Sequence, residues 1–397
     1  MPMLPFRDFT VNGFRGLRSL EVTELRAINL FVGGNNSGKT SILEALAILS
    51  NPAQGSEWLQ VVRRRDFGRL DESLVMSLRW CFSQENPLTQ SDAEDLEFSC
   101  HFTMNGAYPL KQITSTYKEF FAEVDPSDPN VARAVRYMGA RADIAEGPVR
   151  NCTIDSNLEW EEHARANLPG SEQLQAFPPK TAKTLAVNDF LPTALNVAPV
   201  RRGMVYQGRF GLKCAVLLPY SYQLNPRQVS SRSEQLFHDD NSLLLDLVRQ
   251  FDNDVIDIEV ASFAGLRPAI YVKHKRLGVA PLSVFGDAMR RCLLLATTLT
   301  NLGPGGILLL DEIEVGIHTD ALSKVFKWLS DSARMMQVQV MATTHSLEVL
   351  DALLGADLGE DDLAAYQVKQ GDLQTDCRRF SAQSLKRLRF ERGLDIR

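Results

Sequence analysis

The sequence predicts an α/β fold built around a parallel sheet, and three observations predict it. An apolar run, Ala27 to Val32, leads straight into a glycine-rich loop and then into a strongly helical segment. Ile307 to Leu310 and Val338 to Ala342 are short and wholly apolar, the pattern of strands covered on both faces. Each of these strands ends in polar residues, Asp311-Glu312 and Thr343-Thr344-His345, and helical patterns separate them, so the polar groups should gather at the carboxyl rim of the sheet.

Taken in order, Phe6 through Phe14 alternates as a strand or hairpin arm does, with Leu17 to Val22 as its partner. After the loop, Ser41 to Leu49 consists of strong helix formers and puts Ile42, Ala45, Leu46 and Leu49 on one face. From about residue 52 to 200 the character changes, and Met76 to Phe82, Leu96 to Met104 and Asn151 to Trp160 read as antiparallel strands. Ten prolines from Pro87 to Pro199 break any long helix, which excludes a coiled-coil arm there and predicts a compact insertion. Residues 233 to 251 then read as a helix, 255 to 260 and 268 to 274 as a hairpin, and 287 to 300 as an apolar helix. The division expected is a discontinuous unit, residues 1–51 and 233–397, interrupted by an α+β lobe of residues 52–232 that is a candidate surface for a partner or nucleic acid.

At 397 residues, 44% of them hydrophobic, the chain is long enough to bury a large core or two to three ordinary ones. Its net charge of -6, from 43 basic and 49 acidic residues, creates no global field for nucleic acid or an anionic membrane. The clusters Arg63 to Arg65, Arg201-Arg202 and Arg378-Arg379 leave a local basic patch open. Six scattered cysteines without C-x-x-C spacing argue against a zinc site or disulfide framework and fit a reducing cytoplasm. Neither a signal peptide nor a membrane span is visible, so a cytoplasmic location without membrane attachment is expected.

The loop reads Gly33, Gly34, Asn35, Asn36, Ser37, Gly38, Lys39, Thr40, a G-x-x-x-x-G-K-[ST] pattern with Ser41 following on the helix. A nucleoside triphosphate needs many donors near its bridging oxygens, and backbone N–H groups at a helix start supply them where side chains do not block the approach. Gly33 and Gly38 remove such side chains, Lys39 can reach the β- and γ-phosphates of ATP, and the Thr40 hydroxyl can ligate Mg2+. A carboxylate at the end of an apolar strand is costly unless it meets a cation or donors, and a magnesium shell beside Thr40 would satisfy Asp311. Glu312 can polarise an attacking water, with Glu314 a second candidate for either task; alternatively Asp311-Glu312 only caps a loop. His345 falls on the same rim and could donate toward the γ-phosphate, although a lone histidine is more often structural. Ser283 and Gly286 precede a helix whose start suits an anion, yet Ser283 or Asp287 would serve equally as an N-cap. Arg63 to Arg65 offer a phosphate-contacting arginine or simply a solvated basic run.

These four segments in this order, with 244 positions between Lys39 and Ser283, resemble the ABC-type ATPase heads of the SMC, RecF and OLD-like group. The similarity is close for the stand-alone bacterial AAA-type (OLD-like) ATPases without a Toprim nuclease domain, whose signature region looks like S-x-x-G-D-x-x-R-R. Here that pattern is Ser283, Gly286, Asp287, Arg290 and Arg291, followed by Asp311 to His318 and Ala342 to Ser346. The resemblance implies a P-loop NTPase fold, an ABC/SMC-like ATPase head with a compact α+β insertion between the Walker A and signature motifs. It implies ATP sandwiched between two heads of a homodimer or higher homo-oligomer, with Ser283 and Gly286 acting in trans. It also implies Asp311 for Mg2+, Glu312 as general base and His345 as switch histidine.

The 52 residues after His345 are too few for a Toprim domain, so an effector is expected to be a separate protein. Two functions follow from the resemblance: an ATP-hydrolysing, dimerising switch that senses a trigger or controls that effector, plausibly in antiviral defence, or a RecF/SMC-like repair ATPase that clamps duplex DNA. The interval between the Walker A and signature motifs is too long for a transporter subunit.

Overall fold

In the computed structural model, residues 4–65, 73–84, 96–123, 148–161, 165–166, 175–176, 178–188, 205, 207, 211–221, 242–262, 269–356 and 362–395 are described, and two six-stranded sheets organise them. In chain order the strands are β1 (Asp8–Asn12), β2 (Leu20–Val22), β3 (Ile28–Val32), β4 (Leu96–Asn105), β5 (Leu110–Glu123), β6 (Pro148–Trp160), β7 (Arg165–Ala166), β8 (Gln175–Ala176), β9 (Lys180–Asn188) and β10 (Cys214–Leu217). Then come β11 (Val255–Ala261), β12 (Ala269–His274), β13 (Gly278–Pro281), β14 (Ile307–Leu310), β15 (Gln339–Thr344), β16 (Leu363–Gln370) and β17 (Thr375–Ser381). The helices are α1 (Lys39–Ser50), α2 (Ser56–Arg65), α3 (Leu74–Arg79), α4 (Ser242–Arg249), α5 (Asp287–Leu302), α6 (Thr319–Met336), α7 (Leu347–Gly355) and α8 (Ala382–Lys386).

The central sheet has the order β10-β14-β15-β3-β16-β17, parallel except for β17. Every residue of β3, β10, β14 and β15 is buried, because helices cover both faces. Successive residues therefore serve different cores. Phe31, Ile307 and Leu309 pack with α1 and the antiparallel sheet, whereas Leu30, Leu308 and Leu310 pack with α5, α6 and α7. This is a P-loop NTPase sheet, with the loop after β3 at its carboxyl rim.

The second sheet is antiparallel, in the order β2-β1-β4-β5-β6-β9. In β4 the burial alternates without a break, turning Leu96, Phe98, Cys100, Phe102 and Met104 inward, since only one face is covered. A three-stranded sheet of β11, β12 and β13 leads into α5, and β7 pairs with β8.

Three expectations differ from what is observed, and a fourth falls partly outside the described residues. Met76 to Phe82 is not a strand: α3 begins at the cap Ser73, whose Oγ accepts the Met76 N–H at 3.1 Å, and Val75 and Leu78 are buried at helical spacing. Cys214–Leu217, inside the expected lobe of residues 52–232, is the first strand of the central sheet, wholly apolar for the same reason as β14. β1 pairs with β2, as the hairpin reading expects, but β1 also pairs with β4, which joins the residues 1–51 unit to a strand of the expected lobe. Of the helix expected over 233 to 251, residues 242–249 are helical and 233 to 241 lie outside the described residues. No helix among the described residues is long and apolar enough to cross a membrane.

Candidate functional site

The loop between β3 and α1 is held in shape by two positive-φ residues, Asn36 at 61° and Gly38 at 96°. Gly38 is required twice over, since a Cβ there would also stand 2.8 Å from Leu17 Cδ2. A Cβ at Gly33 would meet Val368 O at 2.6 Å and Ser37 Oγ at 2.7 Å, so the crowding at these glycines comes from the chain itself. Lys39 folds back over the loop and donates to Gly33 O at 2.9 Å and Gly34 O at 2.7 Å. Burial lowers the Lys39 pKa, opposed by the carboxylates of Asp311, Glu312 and Glu314.

Across the loop stand the ends of β14 and β15. Their register pairs Leu310 with Ala342, which puts Asp311 beside Thr343. The Thr343 hydroxyl donates to Asp311 Oδ1 at 2.6 Å, and Thr40 Oγ1 lies 3.2 Å from both carboxylate oxygens. Burial pushes the Asp311 pKa up, and the two hydroxyls oppose it. Glu312 follows with φ 47°, fixed by its N–H to Thr343 Oγ1 at 2.9 Å. Its pKa is also raised, first by burial and then by Asp311. His345 Nδ1 stands 3.9 Å from Glu312 Oε1 and 3.5 Å from Glu314 Oε1. Glu314 is already engaged, accepting from Thr344 Oγ1 at 2.8 Å, and is less exposed than Glu312, 15% against 40%. Behind the strand end, the buried Arg291 donates to Glu312 O at 2.8 Å and Pro219 O at 3.1 Å, tying α5 to this rim.

The raised pKa of Asp311 carries a stability consequence. A carboxyl whose folded pKa exceeds its unfolded value favours the fold below the unfolded pKa and loses that advantage as pH rises through the folded one. At neutral pH the ionised Asp311 is therefore a burden on the ligand-free protein. Asp311→Asn is expected to raise its melting temperature by about 2 °C at pH 7 without added metal, the gain shrinking as pH falls toward 4. Calorimetry across that range checks it, and a lower melting temperature for the variant at pH 7 would contradict it.

The arginine run is not solvated as a unit. Arg64 is buried against Glu57 at 2.6 Å. Arg65 Nε meets Glu44 Oε1 at 2.7 Å, and Arg15 Nε meets Glu44 Oε2 at 2.6 Å, so one buried carboxylate holds two guanidiniums. Burial acts on Arg65 first, but Glu44 outweighs it and raises its pKa. Both arginines face a cleft of about 830 Å3 whose lining includes the loop from Asn35 to Ser41. Asp311, Glu312 and His345 also line this cleft, as do Trp80 and Gln370. The structure thus brings together Lys39, Thr40, Asp311, Glu312 and His345. Two oxygen donors, Thr40 and Asp311, suit a hard divalent cation beside the loop.

Ser283 and Gly286 are not part of that lining. Both are exposed, and Gly286 is the N-cap of α5 without any side-chain cap bond, so neither Ser283 nor Asp287 caps it. Arg379 pairs with Glu24 at 3.2 Å and Arg378 lies over the Phe380 ring, while Arg201-Arg202 fall outside the described residues. Arg15, Glu44, Trp80, Gln370 and Thr343 escaped sequence reasoning. Only Thr343, first polar residue after an apolar strand, carried a local signal.

A separate trio, Asp252, Asp254 and His274, has ligand atoms close enough for a metal ion. His274 Nδ1, however, accepts the N–H groups of Arg276 and Leu277, both at 3.1 Å, which leaves the proton on Nε2, 3.2 Å from Asp252 Oδ2. The ring is a satisfied structural histidine with no lone pair to give.

Comparison with known proteins matches residues 6–140 to the family model described as "AAA ATPase domain". Residues 214–351 match the model described as "AAA domain, putative AbiEii toxin, Type IV TA system". The uncharacterized protein MJECL11 of Methanocaldococcus jannaschii is 30% identical over 114 residues, 28% of this chain and 98% of that protein. Among solved structures, an SMC head bound to the C-terminal winged-helix domain of ScpA is similar with a TM-score of 0.47 and 12% identity, over 95% of this chain and 98% of that one. An SMC head with an extended coiled coil, bound to the C-terminal domain of ScpA from Pyrococcus furiosus, gives 0.44 and 10%, over 98% of this chain and 99% of that one.

Proposed function

We propose that this chain, which belongs to the AAA-type ATPases, is an ATP-binding and ATP-hydrolysing switch, closed by dimerisation, that controls a separate effector. One observation carries this reading. The P-loop, Asp311, Glu312 and His345 converge on one cleft, while Ser283 and Gly286 stand exposed outside it, available to a second copy.

In this reading the backbone of Gly33 to Thr40 and Ser41 cradles the phosphates and Lys39 moves from Gly33 O and Gly34 O onto the β- and γ-oxygens. Thr40 and Asp311 hold Mg2+, which when bound neutralises phosphate charge. Glu312 is the general base: it is more exposed than Glu314, less engaged, and raised in pKa toward the range in which a base accepts a proton readily. His345 senses the γ-phosphate, and its tie to Glu314 holds it in place meanwhile. Ser283 and Gly286 of one protomer complete the site of the other at the start of α5.

Ser283→Arg is expected to abolish ATP-dependent doubling of the mass in light scattering while leaving ATP binding by single subunits within about threefold, since added bulk and charge block only the shared surface. An unchanged ATP-dependent mass would remove the trans role of Ser283. The description matched over residues 214–351, which names a toxin and a Type IV TA system, favours a role in bacterial defence, with the effector a separate protein in this reading. Mass spectrometry of proteins co-purifying with the native chain tests it. The DNA-clamping alternative gains nothing from Arg64, Arg65 and Arg379, which are engaged with Glu57, Glu44 and Glu24.

A further inference from the structure

The chain has four tryptophans, and three of them, Trp58, Trp160 and Trp328, are buried. Trp80 is 53% exposed, in the wall of the cleft. An indole left half in water gives up much of the largest apolar burial available to any side chain. Its exposure is not looseness. The backbone around it is pinned, with Arg15 N–H donating to Cys81 O at 2.9 Å and Ser83 Oγ to Arg15 O at 2.7 Å. Two residues on, Phe82 is buried in a stack on Trp58, ring centres 5.1 Å apart. A pinned frame thus presents a half-exposed indole to the cleft.

The charges of the cleft say what the indole meets. Asp311, Glu312 and Glu314 make the rim of β14 anionic, whereas the wall beside Trp80 carries Arg15 and Arg65, two guanidiniums that share the single carboxylate of Glu44. Arg15, Arg65 and Trp80 also line a second cavity of about 380 Å3 against α3, so there is room beside the indole. A ligand whose phosphates are anchored at the start of α1 would extend its uncharged, flat end toward the aromatic wall.

We propose that Trp80 is the platform on which the base of the bound nucleotide stacks, and that it selects purine nucleotides over pyrimidine nucleotides and bare polyphosphate. This rests on the reading of the P-loop as a triphosphate site and adds to it the residue that recognises the base. Stacking scales with overlapping area and needs no hydrogen-bond pattern, so ATP and GTP bind within a few-fold of each other and CTP more weakly.

The part of the fluorescence change on nucleotide binding that Trp80→Phe removes reports Trp80. ATP and GTP quench the wild-type protein; tripolyphosphate binds without quenching. Trp80→Ala lowers ATP affinity about tenfold in titration calorimetry but leaves tripolyphosphate affinity unchanged, and Trp80→Phe restores most of the loss. The platform is overturned if Trp80→Ala binds ATP as the wild type does, if ATP binds without quenching, or if ATP and tripolyphosphate weaken equally. In those cases the wild type still binds tripolyphosphate and the phosphate site stands. A wild-type protein that binds neither ligand overturns the phosphate site, and the platform with it.

Discussion

Lys39→Ala is expected to lower ATP affinity by about 100-fold or more. A hydrogen bond to a charged partner contributes about 1.5–3 kcal/mol, and an ammonium shared between two phosphates makes at least one to each. In the ligand-free protein the same ammonium rests on Gly33 O and Gly34 O, two carbonyls of its own loop. Its removal costs the fold little at the exposed Gly34, where water can replace the donor, and leaves the carbonyl of the buried Gly33 as the main loss. Calorimetric titration of the variant, with its melting temperature as a control on folding, tests the assignment. ATP affinity within threefold of wild type would show that the loop does not hold the triphosphate.

Glu312→Gln is the second large effect, and it acts on a different step. Hydrolysis is expected to fall by about 100-fold to 10,000-fold, the range associated with losing a general base, while ATP binding persists. An ATP-bound dimer should therefore accumulate and appear as a doubled mass that does not decay. The wild-type rate should have an acid limb centred above the ordinary glutamate value. The base works ionised, and burial together with Asp311 holds the Glu312 pKa up, so activity is lost as pH falls through that raised value. Hydrolysis by Glu312→Gln at the wild-type rate would transfer the role elsewhere. Glu314 is poorly placed to take it, with Oε1 accepting the Thr344 hydroxyl at 2.8 Å.

What could be read in advance follows from where the physical signal is local. The P-loop announces itself because its glycines, lysine and threonine are consecutive, and β14 and β15 because burial on both faces forces unbroken apolar runs that end at Asp311 and Thr343. Met76 to Phe82 misled because its alternation was weaker evidence than the Ser73 cap just before it. Cys214–Leu217 is as apolar as β14 but has no motif after it to mark it as part of the same sheet. The rest of the cleft is long-range. Arg15, Glu44 and Arg65 meet through one carboxylate, and no spacing in the sequence foretells that Glu44 holds both guanidiniums. Arg291 was visible only as part of a signature pattern, and its grip on the carbonyls of Pro219 and Glu312 depends on packing among α5, β10 and β14.

The position of β3 between β15 and β16 also governs when the site can come into being. Asn29 pairs with Met341 on one side and Ala364 on the other, and the Phe6 N–H is satisfied by the Gln339 side chain, 333 residues later. A strand with no edge of its own cannot be seated before its neighbours exist. During synthesis the P-loop segment must therefore wait, its strand unpaired, until β15 and β16 have left the ribosome. The nucleotide loop is translated well before the strands that seat it, so early termination within β15 or β16 would leave a chain carrying the whole phosphate motif and no sheet to hold it.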